Sequence, residues 1–162
     1  MVICIETATN LCSVALISSA GVISLKESTD LKSHASMLTV FIGEILKENG
    51  ITAQELEAVA VGKGPGSYTG LRIGVSVAKG IAYGASLPLI AIETTLSMFW
   101  GMAGRIGEFS DDETNTLFCP MIDARRMEVY NAIYDAQGNR TKDISADIIT
   151  EESFSDIPES QK

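Results

Sequence analysis

Two acidic residues, Glu6 and Asp123, each close a short β-rich run, "VICIE" and "MID". Thr7 and Thr9 follow the first and Arg125 follows the second. Carboxylates and hydroxyls at such strand ends can hold a Mg²⁺-nucleotide between two lobes. Thr and Asp also favour turns for their own local hydrogen bonds, so both readings stand for Glu6. A second candidate is "VGKGPGSYTGLRIGVSVAKGIAYG", Val61 to Gly84, which holds seven of the 14 glycines. A strand, a turn through Gly64 and Gly66 and then a helix can offer backbone N–H groups to an anion. Its spacing nevertheless misses both phosphate-binding patterns. Lys63 precedes the turn instead of entering the helix, and after Gly64-Pro65-Gly66 the next glycine is Gly70, one place too late for the dinucleotide pattern. His34 is the only histidine, so a metal site of two or three histidines is excluded. Its place at the start of an amphipathic run suits capping or packing, and no carboxylate pair at helical spacing offers a general acid and base.

The elements that must position these groups follow from periodicity. Val2 to Ile5, Leu11 to Ile17 and Val22 to Leu25 read as three strands, with "SSAG" as a turn. Ser33 is a candidate cap for a helix whose Leu38, Phe41, Ile42, Ile45 and Leu46 form one apolar stripe that stops at Gly50. Leu56 to Val61 and Leu87 to Ile92 are further strands, and helices are expected over 69–84 and from Thr94 to Ala103. The order βββαβαβα predicts an α/β lobe with a mixed sheet covered by helices.

The 69–84 helix has an unusual surface. At 100° per residue, Arg72, Ser76, Lys79 and Tyr83 fall on one narrow stripe. Leu71, Val75, Ala78 and Ala82 lie on one side of it, and Ile73, Val77 and Ile81 on the other. That apolar arc exceeds what one neighbour requires. Gly66, Gly70 and Gly74, four apart, would let another backbone approach closely. The neighbour expected there is the 34–48 helix, a partner protein, or both.

The chain has 162 residues, 46% hydrophobic and 20% charged, enough for a real core. Its net charge of −9 argues against a stand-alone nucleic-acid binder. Cys4, Cys12 and Cys119 have no metal or redox spacing and read as buried free thiols of a reducing compartment. Met1 leads into "VICIETA" without a basic leader, and no apolar run nears the ~18 residues of a membrane span, so a cytoplasmic place is the default expectation. Polar text around 104–116 marks a boundary: a first lobe at 1–107, a linker at 108–116 and the start of a second lobe at 117–162. Ile5-Glu6, Ala15 and Gly21 recur as Ile122-Asp123, Ala132 and Gly138, each 117 residues on. The second lobe thus begins as a β-meander copy of the first and is incomplete, the chain being either a fragment or an abbreviated form.

Three stretches, "ETATNLCSVAL", "GKGPGSYTGLRIGVSVAKGIAYG" and "IDARRMEVYNAIY", together resemble the TsaB (YeaZ) family of the actin-like ATPase (ribonuclease H-like) superfamily, once grouped with M22-type glycoproteases. The resemblance covers residues 1 to about 135. It implies a non-catalytic scaffold subunit in the synthesis of threonylcarbamoyladenosine beside the anticodon of tRNAs. Such a subunit pairs with TsaD, recruits TsaE, forms a homodimer when alone, touches tRNA only indirectly and uses no membrane. The partner face it implies comprises Met37, Phe41, Tyr68, Leu71, Arg72, Val75, Ser76 and Lys79. Candidates for nucleotide contact are Glu6, Thr7, Thr9, Gly64, Gly66 and Asp123. No metal and no resident cofactor are expected, with ATP or ADP contacted only in the complex. TsaD carries an H-x-E-x-H motif after its fifth strand, where this chain reads "IETTLSMFW" without histidine. An actin-like nucleotide-binding ATPase, or an M22-type metallopeptidase, is the alternative.

Overall fold

The computed structural model describes residues 1–29, 34–108, 115–155 and 157, with backbone alone at 34 and 35. Most of the expected linker and the Ser33 cap therefore lie outside the described residues. Contacts divide the chain into two units, Met1–Glu93 and Thr94–Lys162.

The first unit contains β1 (Val2–Glu6), β2 (Cys12–Ser18), β3 (Gly21–Ser28), α1 (His34–Glu48), β4 (Ala58–Gly64), α2 (Tyr68–Gly84) and β5 (Leu89–Glu93). The sheet order is β3-β2-β1-β4-β5. β1, β2 and β3 form an antiparallel meander, whereas β4 runs parallel to both β1 and β5. This is the mixed sheet that the element order predicts. Alternation drives the packing: Ile3, Ile5, Cys12, Val14 and Leu16 are buried on one face, and their intervening neighbours are only half-buried. Leu38, Phe41, Ile42 and Ile45 of α1 and Ala78 and Ala82 of α2 complete that core. Each such Leu, Ile or Phe contributes about 1.5–3 kcal/mol by burial.

The end of α1 follows from one residue. Gly50 takes φ +65°, and the Ile51 and Gly50 N–H groups donate to the Leu46 and Lys47 carbonyls at 3.0 and 3.1 Å. A left-handed residue after the last turn satisfies carbonyls that the helix cannot. Lys26 on β3 ties this helix to the sheet by ion pairs to Glu44 and Glu48 at 3.0 and 2.7 Å.

The second unit contains α3 (Thr94–Ala103), β6 (Met121–Arg125), β7 (Glu128–Tyr134) and β8 (Arg140–Ile148), the strands again forming an antiparallel meander. The repeat with the first meander extends to the backbone of its second turn, where Gly21 and Gly138 both have positive φ, +116° and +85°. α3 belongs to this unit, whereas the polar boundary in the sequence carries the first lobe on to residue 107. The reason is Phe99, whose ring packs against those of Phe118 and Tyr134 at 5.1 and 5.3 Å, while Thr95 shares a buried hydrogen bond with the Tyr134 hydroxyl at 2.9 Å. Among the described residues no helix is long and apolar enough to cross a membrane.

A polar cluster holds β7 to β8. The Asp147 carboxylate accepts hydrogen bonds from Lys142 at 2.6 Å, from the fully buried Asn131 at 2.9 Å and from Ser145 at 2.7 Å. Lys142 first, then Asn131 and Ser145, hold its pKa well below the usual carboxylate range. Because the folded value is the lower one, its stabilisation is present above the ordinary carboxylate pKa of about 4 and is lost as pH falls towards the folded value. Hydrogen exchange on β7 and β8 is therefore expected to lose protection on acidification below about pH 4, and Asp147→Asn to remove that acid-dependent part. An identical acid profile in the variant would show that another group sets it.

Candidate functional site

The β4–α2 turn and the β1–β2 loop meet in the first unit, and their contact explains the glycines. A Cβ on Gly66 would collide with the Ala8 carbonyl, one on Gly70 with the Thr7 carbonyl and one on Gly74 with the Thr7 hydroxyl. The stripe thus admits residues 7–8 of the chain's own loop, where the sequence suggests the 34–48 helix or a partner. A loop carbonyl pressed against a helix needs a nearer approach than two helices do, and the periodicity of one helix does not say which neighbour arrives.

Three of the turn's donors are used internally. Ser67 N–H donates to the Ala8 carbonyl at 2.6 Å, the Ser67 hydroxyl accepts from Gly70 N–H at 3.3 Å as the α2 cap, and Leu71 N–H donates to the Ser67 carbonyl at 2.8 Å. The Thr7 hydroxyl, itself buried, donates to the Gly70 carbonyl at 2.8 Å. Glu6 accepts from the N–H groups of Thr7 and Ala8 at 2.8 and 2.6 Å, and its carboxylate occupies the space that a side chain at Gly62 would need. Thr9 accepts from Leu11 N–H at 3.2 Å. The structure therefore brings Glu6, Thr7, Thr9, Gly64 and Gly66 into adjoining turns of one unit, and the hydrogen bonds described there either close a turn or, from Thr7 to Gly70 and from Ser67 to Ala8, tie the β1–β2 loop to the start of α2.

Asp123 lies on β6 of the second unit, where its carboxylate accepts from Arg125 N–H at 2.7 Å. Its surroundings differ from those of Glu6. β1 and β2 are joined by residues 7–11, whereas only Arg126 and Met127 join β6 to β7. Arg125, Arg126 and Met127 all have positive φ, between 55° and 70°. The second unit also has an open pocket of about 330 Å³, lined mainly by Leu117, Cys119, Met121, Ile133, Phe154 and Ile157. Burial raises the Cys119 thiol pKa, which makes it a poor nucleophile. Among the described residues no three His, Cys, Asp or Glu side chains converge as a metal site.

The opposite face of α2 points outward. Gly70, Gly74, Ala78 and Ala82 are buried, whereas Tyr68, Arg72, Ser76, Lys79 and Tyr83 are exposed, as the 100° projection requires. Tyr68 is 74% and Tyr83 92% exposed, with the Arg72 guanidinium 5.4 Å from the Tyr68 ring centre. Leu71 and Val75 are half-buried at its margin, and Met37 on α1 is half-buried against the core. Phe41 is a correction. It lies buried among the core residues, because it belongs to the stripe that α1 turns towards the sheet. The exposed part of α1 includes Thr39, Val40 and Gly43, to which the sequence gives no pointer because they lie off the apolar stripe that reveals the helix.

Comparison with known proteins agrees with this architecture. The family model described as "TsaD: tRNA N6-adenosine threonylcarbamoyltransferase" matches residues 27–157. The tRNA threonylcarbamoyladenosine biosynthesis protein TsaB of Escherichia coli (strain K12) is 36% identical over 138 residues, 85% of this chain and 56% of that protein. The protein of the same name from Bacillus subtilis (strain 168) is 28% identical over 146 residues, 90% of this chain and 60% of its own length. Among solved structures, YeaZ from Pseudomonas aeruginosa superposes with a TM-score of 0.74 at 26% identity, covering 94% of this chain and 70% of that one. The chain thus spans a little over half the length of the curated relatives it matches. With the mixed sheet, the second meander and the glycine-bearing α2 all in place, the chain belongs to the TsaD-like family of actin-like fold, on its TsaB (YeaZ) branch.

Proposed function

We propose that this chain is a non-catalytic scaffold in threonylcarbamoyladenosine synthesis, docking a TsaD-type paralogue through the outward face of α2 and the adjoining surface of α1. The observation that carries this reading is that face: a stripe with a tyrosine at each end, two cations between and half-buried Leu71 and Val75 alongside. Exposed aromatic and arginine side chains beside an apolar margin are the usual anchors of a protein interface. The sequence supports the absence of catalysis, since its single histidine cannot supply a multi-histidine metal site and Ile92 to Trp100 holds none. In this reading TsaE joins the complex, tRNA is touched only through the partner, and ATP or ADP is contacted only in the complex. The chain works in the cytoplasm and forms a homodimer when alone.

Sedimentation of the chain with its paralogue tests this. Ser76→Arg, at the centre of the exposed stripe and away from the core, is expected to weaken the complex tenfold or more, about 1.4 kcal/mol. Failure of the native chain to form a complex, or a complex indifferent to Ser76→Arg, would remove the reading. ATP binding or hydrolysis by the chain alone would favour the ATPase instead.

A further inference from the structure

The turn between β6 and β7 is made of residues that its backbone disfavours. Arg125 and Glu128 are paired across the hairpin, so Arg126 and Met127 alone connect the strands. Both have positive φ, 55° and 70°. A two-residue connection of that kind is usually built from glycine, asparagine or aspartate, because a Cβ in the left-handed region lies too close to the following carbonyl. Neither side chain offsets that cost by packing, since both are exposed, Met127 to 86%.

Charge sets the same turn apart. The other described cations of the second unit are each paired with a carboxylate: Arg105 with Glu108 at 2.7 Å, Arg140 with Asp143 at 3.1 Å and Lys142 with Asp147 at 2.6 Å. Among the described residues no acceptor engages the guanidinium of Arg125 or Arg126, and both side chains are exposed. Apolar surface adjoins them. The register of β7 and β8 sets Ile148, itself exposed, opposite Glu128 at the base of the turn.

We propose that this turn is a docking element for an acidic segment of another protein, which offers carboxylates to Arg125 and Arg126 beside an apolar recess for Met127. The turn belongs to the second unit and α2 to the first, so this role is additional to the docking reading above and does not depend on it. A guanidinium takes a carboxylate through two parallel N–H bonds, and the unbranched methionine side chain adapts to the shape of a recess. Arginine and methionine are both enriched at protein interfaces. Nucleic acid is the poorer fit. It is held by the sum of many phosphate contacts, for which two cations are too few, and a phosphate backbone makes no use of Met127 and Ile148.

Arg126→Asn/Met127→Gly tests this, because it keeps the hairpin and gives the turn residues that its backbone favours. The variant is expected to raise the melting temperature of the second unit by about 5 °C or more, so a loss of binding is not a loss of fold. Native chain screened against a displayed library of random peptides is expected to enrich peptides that combine Asp or Glu with large apolar residues. Those peptides are expected to bind the variant roughly tenfold more weakly or worse. Single-stranded RNA and ATP, run against the same two proteins, are expected to show no difference between them. An unchanged or lower melting temperature removes the strained turn and the proposal with it. No enrichment, enriched peptides without carboxylates, or peptides that bind both proteins alike overturn the docking element. RNA or ATP bound by the native chain and lost in the variant assigns the turn to a phosphate ligand and overturns the proposal.

Discussion

Gly70→Ala is expected to lower the melting temperature of the first unit by about 10–20 °C, an effect far larger than one methyl group usually has. Gly70 is buried, and the added carbon would fall inside the contact distance of the Thr7 carbonyl oxygen. That carbonyl has little freedom to retreat. The Thr7 hydroxyl donates back to the Gly70 carbonyl at 2.8 Å, and the Thr7 and Ala8 N–H groups are held by Glu6 at 2.8 and 2.6 Å. Overpacking together with loss of the buried Thr7 hydrogen bond costs about 2–4 kcal/mol. The contrast with Gly80→Ala makes the prediction specific. Gly80 has open space where its side chain would be, so alanine there is expected to stabilise the same helix by about 1 kcal/mol through propensity alone. Calorimetry on both variants checks this, and the account fails if they shift in the same direction.

The two glycines also show how far the sequence can be read. Projection at 100° per residue places Gly70 and Gly74 on one side of α2 and Arg72, Ser76 and Lys79 on the other, and burial follows that division. The strands are legible because Ile3, Ile5, Val14 and Leu16 alternate with less buried neighbours, and the stop of α1 because Gly50 is a residue that can take a left-handed conformation. What the buried glycines admit is not legible. The path of residues 7–8 over the helix is a long-range fact, and a local pattern records only that something comes close. Phe41 is the converse case. The family resemblance assigns it to the partner surface, yet its place on the Leu38–Ile45 stripe already carries the signal for the core. The difference between the Glu6 and Asp123 turns is not legible in the sequence, since Glu6 to Ala15 and Asp123 to Ala132 have the same spacing, and the shorter second turn comes from pairing that continues to Arg125 and Glu128 where the first stops at Glu6 and Ser13.

The affiliation of α3 lies beyond the sequence, and it leads to the other large effect. Its bounds, Thr94–Ala103, are those that the apolar pattern predicts, but periodicity does not name the sheet on which a helix lies. Phe99 does so in the structure, being 1% exposed with ring centres of Phe118 and Tyr134 at 5.1 and 5.3 Å. Phe99→Ala is expected to remove about 3–5 kcal/mol from a unit whose buried cluster consists otherwise of Ala132 and Tyr134. A domain's whole stability is about 5–15 kcal/mol, so this small unit should lose most of its own. Amide exchange is expected to show β6, β7 and β8 losing protection while β1, β2 and β4 keep theirs. Because α2 belongs to the first unit, docking through its outward face should persist in the variant at close to native affinity. Simultaneous loss of protection in both sheets would mean that the two units fold as one. Loss of docking with the first sheet still protected would mean that the second unit supplies part of the partner's surface.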